Sequence, residues 1–445
     1  YKISQVNIFT NNTSKKERNQ FNDSVTYRNF NIYSAGKLKY KPKAITNAIF
    51  IEKGKLFSDN DRTLTSKSLS NLKVFNYPNI EYIEDPNDST STSLIANIYL
   101  MSKPKYIWQP SLDVTTSDVQ EFGISGRMSF TWRNLFKRAE IFELSAKGNI
   151  GSSKDLANPN NVFFNISEYG LEGKLSFPRI VFPVNTRNII KKEMLPTTNA
   201  NIGLTSQRNI GLDKENLTGV FGYNWIPKQK HTVRFDLLSI QFIKNFNPEN
   251  YFNVYSSSYN TLNNLAQLYD YLDDDDNLTA QGAVNFINDV ENGVITFPSD
   301  DNNYKTIRSI GERRKRLIEN NLIVSSALTF FRNTKANLLD NNFYSIRTKI
   351  ESAGNVLSLL ADTKNESLSA NGNKTMFGIE YSQYIKGEID FIKHWDFGKK
   401  NTLAMRAFAG LAVPYGNAQS IPFSRSYFSG GSNDNRGWQA YSLGP

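Results

Sequence analysis

From residue 106 onward, the chain carries a long series of segments in which apolar and polar residues alternate. Because successive side chains of a strand point to opposite faces, such segments predict strands with one apolar and one polar face. Each segment has roughly 10 to 13 residues, the length that a tilted strand needs to cross a membrane. Eleven segments fit: 106–116, 122–132, 140–150, 166–178, 199–208, 216–226, 231–242, 320–332, 343–353, 376–391 and 401–413.

The connectors between these segments alternate in length. Those after the even-numbered segments are mostly short, and those after the odd-numbered segments are long, above all residues 243–319. Short turns at one end and long loops at the other are typical of antiparallel membrane barrels. The exception is the connector 179–198, which follows an even-numbered segment, is long and contains Pro183 and Pro196; the pattern offers no explanation for it.

Composition agrees with a strand-built membrane protein. The mean hydropathy is -0.48 although 13% of the residues are aromatic, as expected where each strand gives half its residues to a polar interior. No stretch approaches the roughly 20 apolar residues that a spanning helix needs. The net charge of +10 raises the alternative of nucleic-acid binding, but Lys and Arg are scattered. We expect no nucleic-acid partner and interpret Lys191, Lys192 and the run 313–316 as solvated loop charge, available to anionic lipid headgroups.

The sequence predicts no enzyme, no cofactor and no metal site. It has no cysteine, and its two histidines, His231 and His394, lie far apart. No nucleophile elbow, phosphate loop or Ser-His-Asp set is present. The acidic residues at 270 and 273–276 lack the spacing of a calcium loop, so solvated charge is the favoured interpretation and calcium binding the alternative. Apolar residues on either side of this run predict short helices in a folded cap within the long loop.

Residues 1–104 predict a small α+β domain instead. An approximately alternating strand runs from Tyr1 to Phe9, and a polar, Asn-rich stretch follows. Pro42 suits the start of a first helix, and Ser58 or Asp59 can cap a second. Further strands are predicted near residues 25–33, 80–82 and 94–100.

Near the end of the chain, residues 428–438 combine a Gly-Gly pair, small polar residues and an Arg-Gly-aromatic triplet. Such a loop suits the delivery of one guanidinium group, whose planar fork fits a carboxylate or an aromatic face. The residues that carry this pattern are Phe428, Gly430, Gly431, Arg436, Gly437 and Trp438. Together with the strand series, the loop resembles the signature loop of the BamA/TamA superfamily of outer-membrane assembly barrels. Trp438 stands where that family usually has Phe or Tyr, and Asn435 where it has Val or Ile.

This resemblance implies a mainly β fold. The complete protein would be a transmembrane antiparallel β-barrel of 16 strands, of which about 11–12 lie within this chain at residues 105–445. Residues 1–104, whose second helix looks like that of a POTRA domain, would form a periplasmic POTRA-like domain, and residues 243–319 the long extracellular loop. Both ends of the chain look like cuts, so we expect further strands, including the closing strand, after Pro445.

The resemblance also implies roles for particular residues. The signature loop would fold back into the lumen, where Arg436 would reach acidic and aromatic groups of the later strands. Its partner carboxylate would lie after Pro445. Tyr106, Trp108 and Pro110 would lie on the first strand, at a seam that opens sideways and templates an incoming strand. Pro110 cannot donate a ladder hydrogen bond, although proline at the start of a strand is equally consistent with an ordinary edge.

The expected function is protein insertion, assembly or translocation at the Gram-negative outer membrane. Its partners would be unfolded outer-membrane protein clients, periplasmic or lipoprotein accessory subunits, and membrane lipid. Within the superfamily, residues 122–126 and 133–140 look most like the translocation and assembly module lipoprotein branch, with the general barrel-assembly subunit as the next alternative. Two alternatives stay open: a two-partner-secretion-type export pore with a dedicated client, and a passive porin or nutrient transporter.

Overall fold

The computed structural model describes two main β-sheets, a small two-stranded sheet and a helical insert. The described residues are 1–10, 21–89, 92–116, 122–152, 164, 166–209, 213–272, 276–295, 302–318, 320–364, 368–369, 372–398 and 400–427.

The N-terminal sheet has five strands in the spatial order β2-β3-β1-β5-β4. β1 lies at its centre and runs parallel to both of its neighbours, β3 and β5. β2 and β4 are paired on one side only and form the two edges among the described residues. The strands are β1 (Lys2–Thr10), β2 (Asp23–Tyr27), β3 (Phe30–Ser34), β4 (Asn79–Glu84) and β5 (Ser93–Leu100).

Two helices connect β3 to β4. Helix α1 (Pro42–Thr46) begins with the proline that the sequence predicts at its start, where the missing N–H costs nothing. Helix α2 (Asp59–Asn71) is capped by Ser58, whose hydroxyl accepts a hydrogen bond from the Asp61 amide at 3.3 Å. Both helices pack on the sheet and bury a compact apolar core. Its members include Val6, Ile8, Ile45, Ile49, Leu69, Val74, Phe75 and Ile98.

The prediction of a single strand at residues 25–33 is wrong, because β2 and β3 form a hairpin. The turn is at Arg28 and Asn29, and Arg28 has a φ of 55°. A two-residue turn changes which residues face the core, so the two short alternating runs read as one imperfect strand. Tyr27 and Phe30 are partners across the hairpin.

The large sheet has eleven strands, each hydrogen-bonded to its neighbours in chain order. All pairings are antiparallel. The strands are β6 (Tyr106–Thr115), β7 (Phe122–Arg133), β8 (Ile141–Ser152), β9 (Ile166–Phe177), β10 (Thr197–Asn209), β11 (Lys214–Trp225), β12 (His231–Asn245), β13 (Asn321–Asn333), β14 (Tyr344–Ala353), β17 (Tyr384–Asp396) and β18 (Thr402–Pro414). The eleven predicted strands are therefore all present in the described part of the chain.

The tenth predicted strand, 376–391, has the wrong bounds. Helix α7 (Asn355–Lys364) and a small hairpin of β15 (Thr375–Met376) and β16 (Ile379–Glu380) precede β17. The hairpin turns at Phe377 and Gly378, which both have positive φ. The strand proper therefore begins only at Tyr384.

A helical insert separates β12 from β13. It consists of α3 (Tyr251–Val254), α4 (Ser256–Leu268), α5 (Ala280–Glu291) and α6 (Asn302–Ile318). These helices share an apolar core of their own that includes Leu262, Ala266, Phe286, Ile287 and Ile307. The prediction of short helices in this loop is confirmed. No helix among the described residues is long and apolar enough to cross a membrane.

The two sheets meet at the end of the large sheet where β7 turns into β8. Ala139, from the turn between β7 and β8, and Ile141, the first residue of β8, belong to the core of the N-terminal sheet. The Lys41 amide donates to the Lys137 carbonyl at 2.7 Å, and the Asn134 side chain donates to the Lys39 carbonyl at 2.9 Å. A continuous core therefore fixes the N-terminal domain against one rim of the large sheet.

Candidate functional site

The large sheet has two chemically different faces. On β17 and β18, directly opposite residues such as Ile389 and Ala409 share one face, and Asp390 and Phe408 share the other. One face carries exposed apolar side chains across the sheet, among them Leu112, Met128, Leu171, Leu204, Leu328, Ile350, Ile389 and Leu411. Apolar side chains that are exposed on most of the strands fit contact with lipid, and the opposite, polar face fits a lumen.

Four of the five tryptophans lie at one end of this sheet. Trp108 stands near the start of β6, and Trp132, Trp225 and Trp395 stand at or next to the ends of β7, β11 and β17. All four positions are on the rim that meets the N-terminal domain. Indole rings collect at the boundary between hydrocarbon and headgroups, so this rim fits one boundary of a membrane.

The predicted seam strand is an edge of the large sheet. β6 pairs with β7, and no other strand of the described residues pairs with it. Trp108 packs against Phe130 with ring centroids 4.6 Å apart, and Tyr106 lies 5.6 Å from Trp132. Pro110 is opposite Met128 in the ladder. The structure therefore gathers Tyr106, Trp108 and Pro110 on an edge strand that is exposed along its length.

β18 forms the other edge of the sheet within the described residues. The chain then folds back, in residues 415–427, across the polar face of β17 and β18. Tyr427 lies on this face: its hydroxyl donates to the Gly387 carbonyl at 3.3 Å, and the Lys386 ammonium lies 4.1 Å from its ring centroid. A methyl group at Gly410 would come within 2.5 Å of the Tyr427 ring, so glycine leaves the space that this contact requires.

A buried carboxylate on β14 organises the polar face beneath this segment. Glu351 is only 2% exposed and accepts hydrogen bonds from the Tyr384 hydroxyl, at 2.7 Å, and from Lys349. The Arg425 Nε lies 3.9 Å from a Glu351 oxygen, and the Lys386 ammonium donates to the Arg425 carbonyl at 2.8 Å. These contacts attach the returning segment to strands β14 and β17.

A second set of hydrogen bonds holds the beginning of the same segment. The Asn417 amide donates to the Gln383 side chain at 3.0 Å, and its side chain donates to the Lys374 and Tyr381 carbonyls. The Tyr415 hydroxyl is 2.6 Å from the Asn355 side-chain oxygen. Segment 415–427 is therefore held at both of its ends.

The signature residues Phe428, Gly430, Gly431, Arg436, Gly437 and Trp438 lie outside the described residues, directly after this anchored segment. Sequence reasoning placed the acidic partner of the loop after Pro445 and missed Arg425 and Glu351. The sequence contained one indication of a charged cluster on this strand, because the alternation of β14 places Glu351 on the same face as Lys349. Nothing in the sequence, however, joins Glu351 to an arginine so far along the chain.

The chain was compared with protein-family models, curated proteins and solved structures. Residues 336–445 match the model of the Omp85 superfamily domain. No curated protein matches the sequence. Among solved structures, the chain is similar to BamA from Haemophilus ducreyi lacking POTRA domains 1–3, with 9% identity over 95% of this chain and 65% of that chain, and a TM-score of 0.50.

It is also similar, at 9% identity, to CdiB from Escherichia coli, over 98% of this chain and 72% of that chain with a TM-score of 0.44. The chain spans 65% of the length of the BamA structure, just under two thirds. The domain match supports the Omp85 superfamily and points to an outer-membrane protein, whereas the likeness to BamA concerns the fold. We conclude that residues 336–445 are similar to the Omp85 superfamily domain and that the fold of the chain is similar to that of BamA.

Proposed function

We propose that this protein inserts or translocates other proteins at the outer membrane through the open edge of its large sheet. The match to the Omp85 superfamily domain supports an insertion or secretion function. The observation that carries the finer proposal is β6, an edge strand that has one apolar face and only β7 as partner among the described residues.

The backbone of an edge strand can template another strand. Its free N–H and C=O groups pair with an incoming client segment, as in strand addition. Pro110 lacks an N–H, so a ladder between β6 and a client strand has one donor fewer at this position. The client strand is therefore easier to exchange. No ATP and no covalent step enter the proposal, since the folding of the client supplies the free energy.

The remaining architecture of the proposal follows the family resemblance. Sixteen strands would close the barrel, residues 1–104 would be a POTRA-like domain in the periplasm, and residues 243–319 would lie outside the cell. The five-stranded sheet with two helices, at the rim with short turns, is compatible with that arrangement. The anchored segment 415–427 would present Arg436 toward the polar face of the sheet.

The first test is depletion of the full-length protein, followed by quantitative proteomics of the outer membrane. Loss of many unrelated barrels supports an assembly machine, and loss of a few large clients supports the translocation and assembly module branch. Loss of one secreted partner indicates an export pore. An unchanged proteome with reduced solute permeability contradicts the proposal and favours a porin. Arg436→Ala should reproduce part of the depletion, whereas Arg308→Ala, an exposed arginine of the helical insert, should not.

The edge itself can be tested by disulfide trapping, because the chain has no cysteine of its own. Ser111→Cys places a thiol on β6. The control, Ser145→Cys, places one on β8, which is paired on both sides. We expect client cysteines to be captured by the β6 variant and not by the control. Equal capture by both variants would contradict templating at this edge.

A further inference from the structure

A cavity of about 1210 Å³ lies between the N-terminal domain and the connector 178–196. Residues around α1 and α2 form one wall, and the connector, which joins β9 to β10, forms the other. This connector is the long one that the strand pattern does not explain. The cavity lies at the rim of the large sheet that carries the four tryptophans, because the connector joins two strands there.

The lining of the cavity is strongly basic. It contains eight Lys or Arg side chains and two carboxylates, Glu52 and Glu193. Two of the cations have acidic partners: Arg179 binds the buried Glu140 at 2.8 Å, and Lys192 lies 3.6 Å from Glu52. Lys192 also donates to the Ile49 carbonyl and lies over the Phe50 ring, which attaches the connector to the N-terminal domain.

The other six cations lack such partners. In the described part of the chain, no carboxylate lies within ion-pairing distance of Arg28, Lys41, Lys43, Arg138, Arg187 or Lys191. All six are exposed. Like charges around one cavity repel each other, so an anion that binds among them relieves this repulsion.

The connector adds exposed apolar side chains to these charges. Val184, which lines the cavity, is 67% exposed, and Ile189, which lies beside the lining rather than in it, is 79% exposed. At the start of the connector, the Phe182 ring packs edge-on against Tyr223 at 6.0 Å, and the Tyr223 hydroxyl donates to the Val181 carbonyl. Tyr223 points to the same face of β11 as Leu217 and Phe221, so the connector begins on the apolar face of the sheet.

A segment that has exposed apolar residues and clustered cations, at the rim of an apolar sheet face, suits an interface between lipid and water. A soluble anion would use the cations but would leave Val184 and Ile189 in water. An amphiphile with an anionic headgroup uses both.

We propose that this cavity binds an anionic phospholipid, with the headgroup phosphate among Lys43, Arg187 and Lys191 and the acyl chains against the exposed apolar side chains of the connector. This site does not depend on the proposed insertion function. It gives the connector a role: to hold a lipid between the N-terminal domain and the rim of the large sheet.

The test uses the purified full-length protein, delipidated in a zwitterionic detergent, and isothermal titration calorimetry. The probes are short-chain phosphatidylglycerol, short-chain phosphatidylcholine, inorganic phosphate and an oligoglutamate peptide. The variant is Lys43→Gln/Arg187→Gln/Lys191→Gln. The matched control is Lys53→Gln/Lys67→Gln/Lys73→Gln, which removes three exposed lysines of the N-terminal domain outside the cavity.

We expect phosphatidylglycerol to bind the wild type and the control alike, and the cavity variant about a hundredfold more weakly, since each cation near a lipid surface contributes about fivefold in affinity. Phosphatidylcholine should bind weakly to all three. Thermal unfolding should be the same for the three proteins, because the replaced side chains are exposed.

Three results would overturn the proposal. Equal phosphatidylglycerol binding by the cavity variant and the wild type would place the lipid elsewhere. Phosphate that binds as tightly as the lipid would show a site for a free anion. Tighter binding of oligoglutamate, with displacement of the lipid, would show a site for an acidic polypeptide.

Discussion

The N-terminal sheet and the large sheet use the same alternating pattern in opposite ways. In the N-terminal sheet, apolar residues such as Ile98 are fully buried against the helices. In the large sheet, Leu411 is 70% exposed, while the carboxylate of Glu351 on the other face is 2% exposed. Alternation therefore identifies a strand and its two faces, but the surroundings of each face decide which one is hidden from water.

The largest effect should come from the buried charge of the large sheet. Glu351→Ala leaves Lys349 and Arg425 without their carboxylate and removes the acceptor of the Tyr384 hydroxyl. Breaking a buried ion pair in this way costs about 3–5 kcal/mol in free energy of unfolding. Urea unfolding in detergent micelles measures it, with Glu84→Ala on the exposed edge of the N-terminal sheet as control. Equal losses in the two variants would mean that the polar face contributes no specific stability.

The second-largest effect is expected from a truncation in the core of the N-terminal domain. Ile98→Ala removes a fully buried side chain and should lower the free energy of unfolding of this domain by about 3 kcal/mol. Leu411→Ala removes a similar volume from the apolar face and should have a much smaller effect, because no protein cavity results. Limited proteolysis against urea, followed by peptide mapping, distinguishes the two domains. A larger loss for Leu411→Ala would reverse the comparison.

A charge introduced on the apolar face should show whether this face contacts lipid or water. Ile389→Arg, near the middle of β17, should cost about 2 kcal/mol or more in a bilayer. Tyr77→Arg, at an 83% exposed position of the N-terminal domain, should cost almost nothing. Folding yield into phosphatidylcholine vesicles, read from the heat-modifiable band on a gel, measures both. Normal folding of Ile389→Arg would show that this face does not meet lipid.

The smallest effect concerns the contact between the connector and the N-terminal domain. The hydrogen bond from Lys55, opposed in part by burial and aided by Lys192, holds the pKa of Glu52 below its ordinary value of 4.5. A lowered pKa stabilises the folded state above pH 4.5, and this contribution disappears as the pH falls through the pKa of the folded protein. The melting temperatures of wild type and Glu52→Gln should therefore differ slightly at neutral pH and converge in acid. A constant difference would exclude Glu52 as the titrating group.

The strands of the large sheet could be predicted because each is long and most of them keep one alternation throughout. Prediction failed where a short turn changes the alternation without Pro or Gly as a signal, as at Arg28 and Asn29. It also failed at residues 376–383, where an apolar hairpin precedes β17 and looks like its beginning.

The candidate site was predictable only in part. Tyr106, Trp108 and Pro110 lie on an edge strand of the large sheet within the described residues, because strand order follows chain order there. The contact between Arg425 and Glu351 joins positions that are distant in the chain, and the role of connector 178–196 depends on a neighbouring domain. Periodicity within a segment carries no information on either.

The position of the four tryptophans has a practical consequence. Apart from Trp438, every fluorophore of this type reports on a single rim, the one that adjoins the N-terminal domain and the basic cavity. Intrinsic tryptophan fluorescence therefore reports the depth of this rim in a bilayer without an added label. Lipids brominated near the headgroup should quench this fluorescence more than lipids brominated near the chain ends. Docking or release of the N-terminal domain should shift the wavelength of the emission maximum.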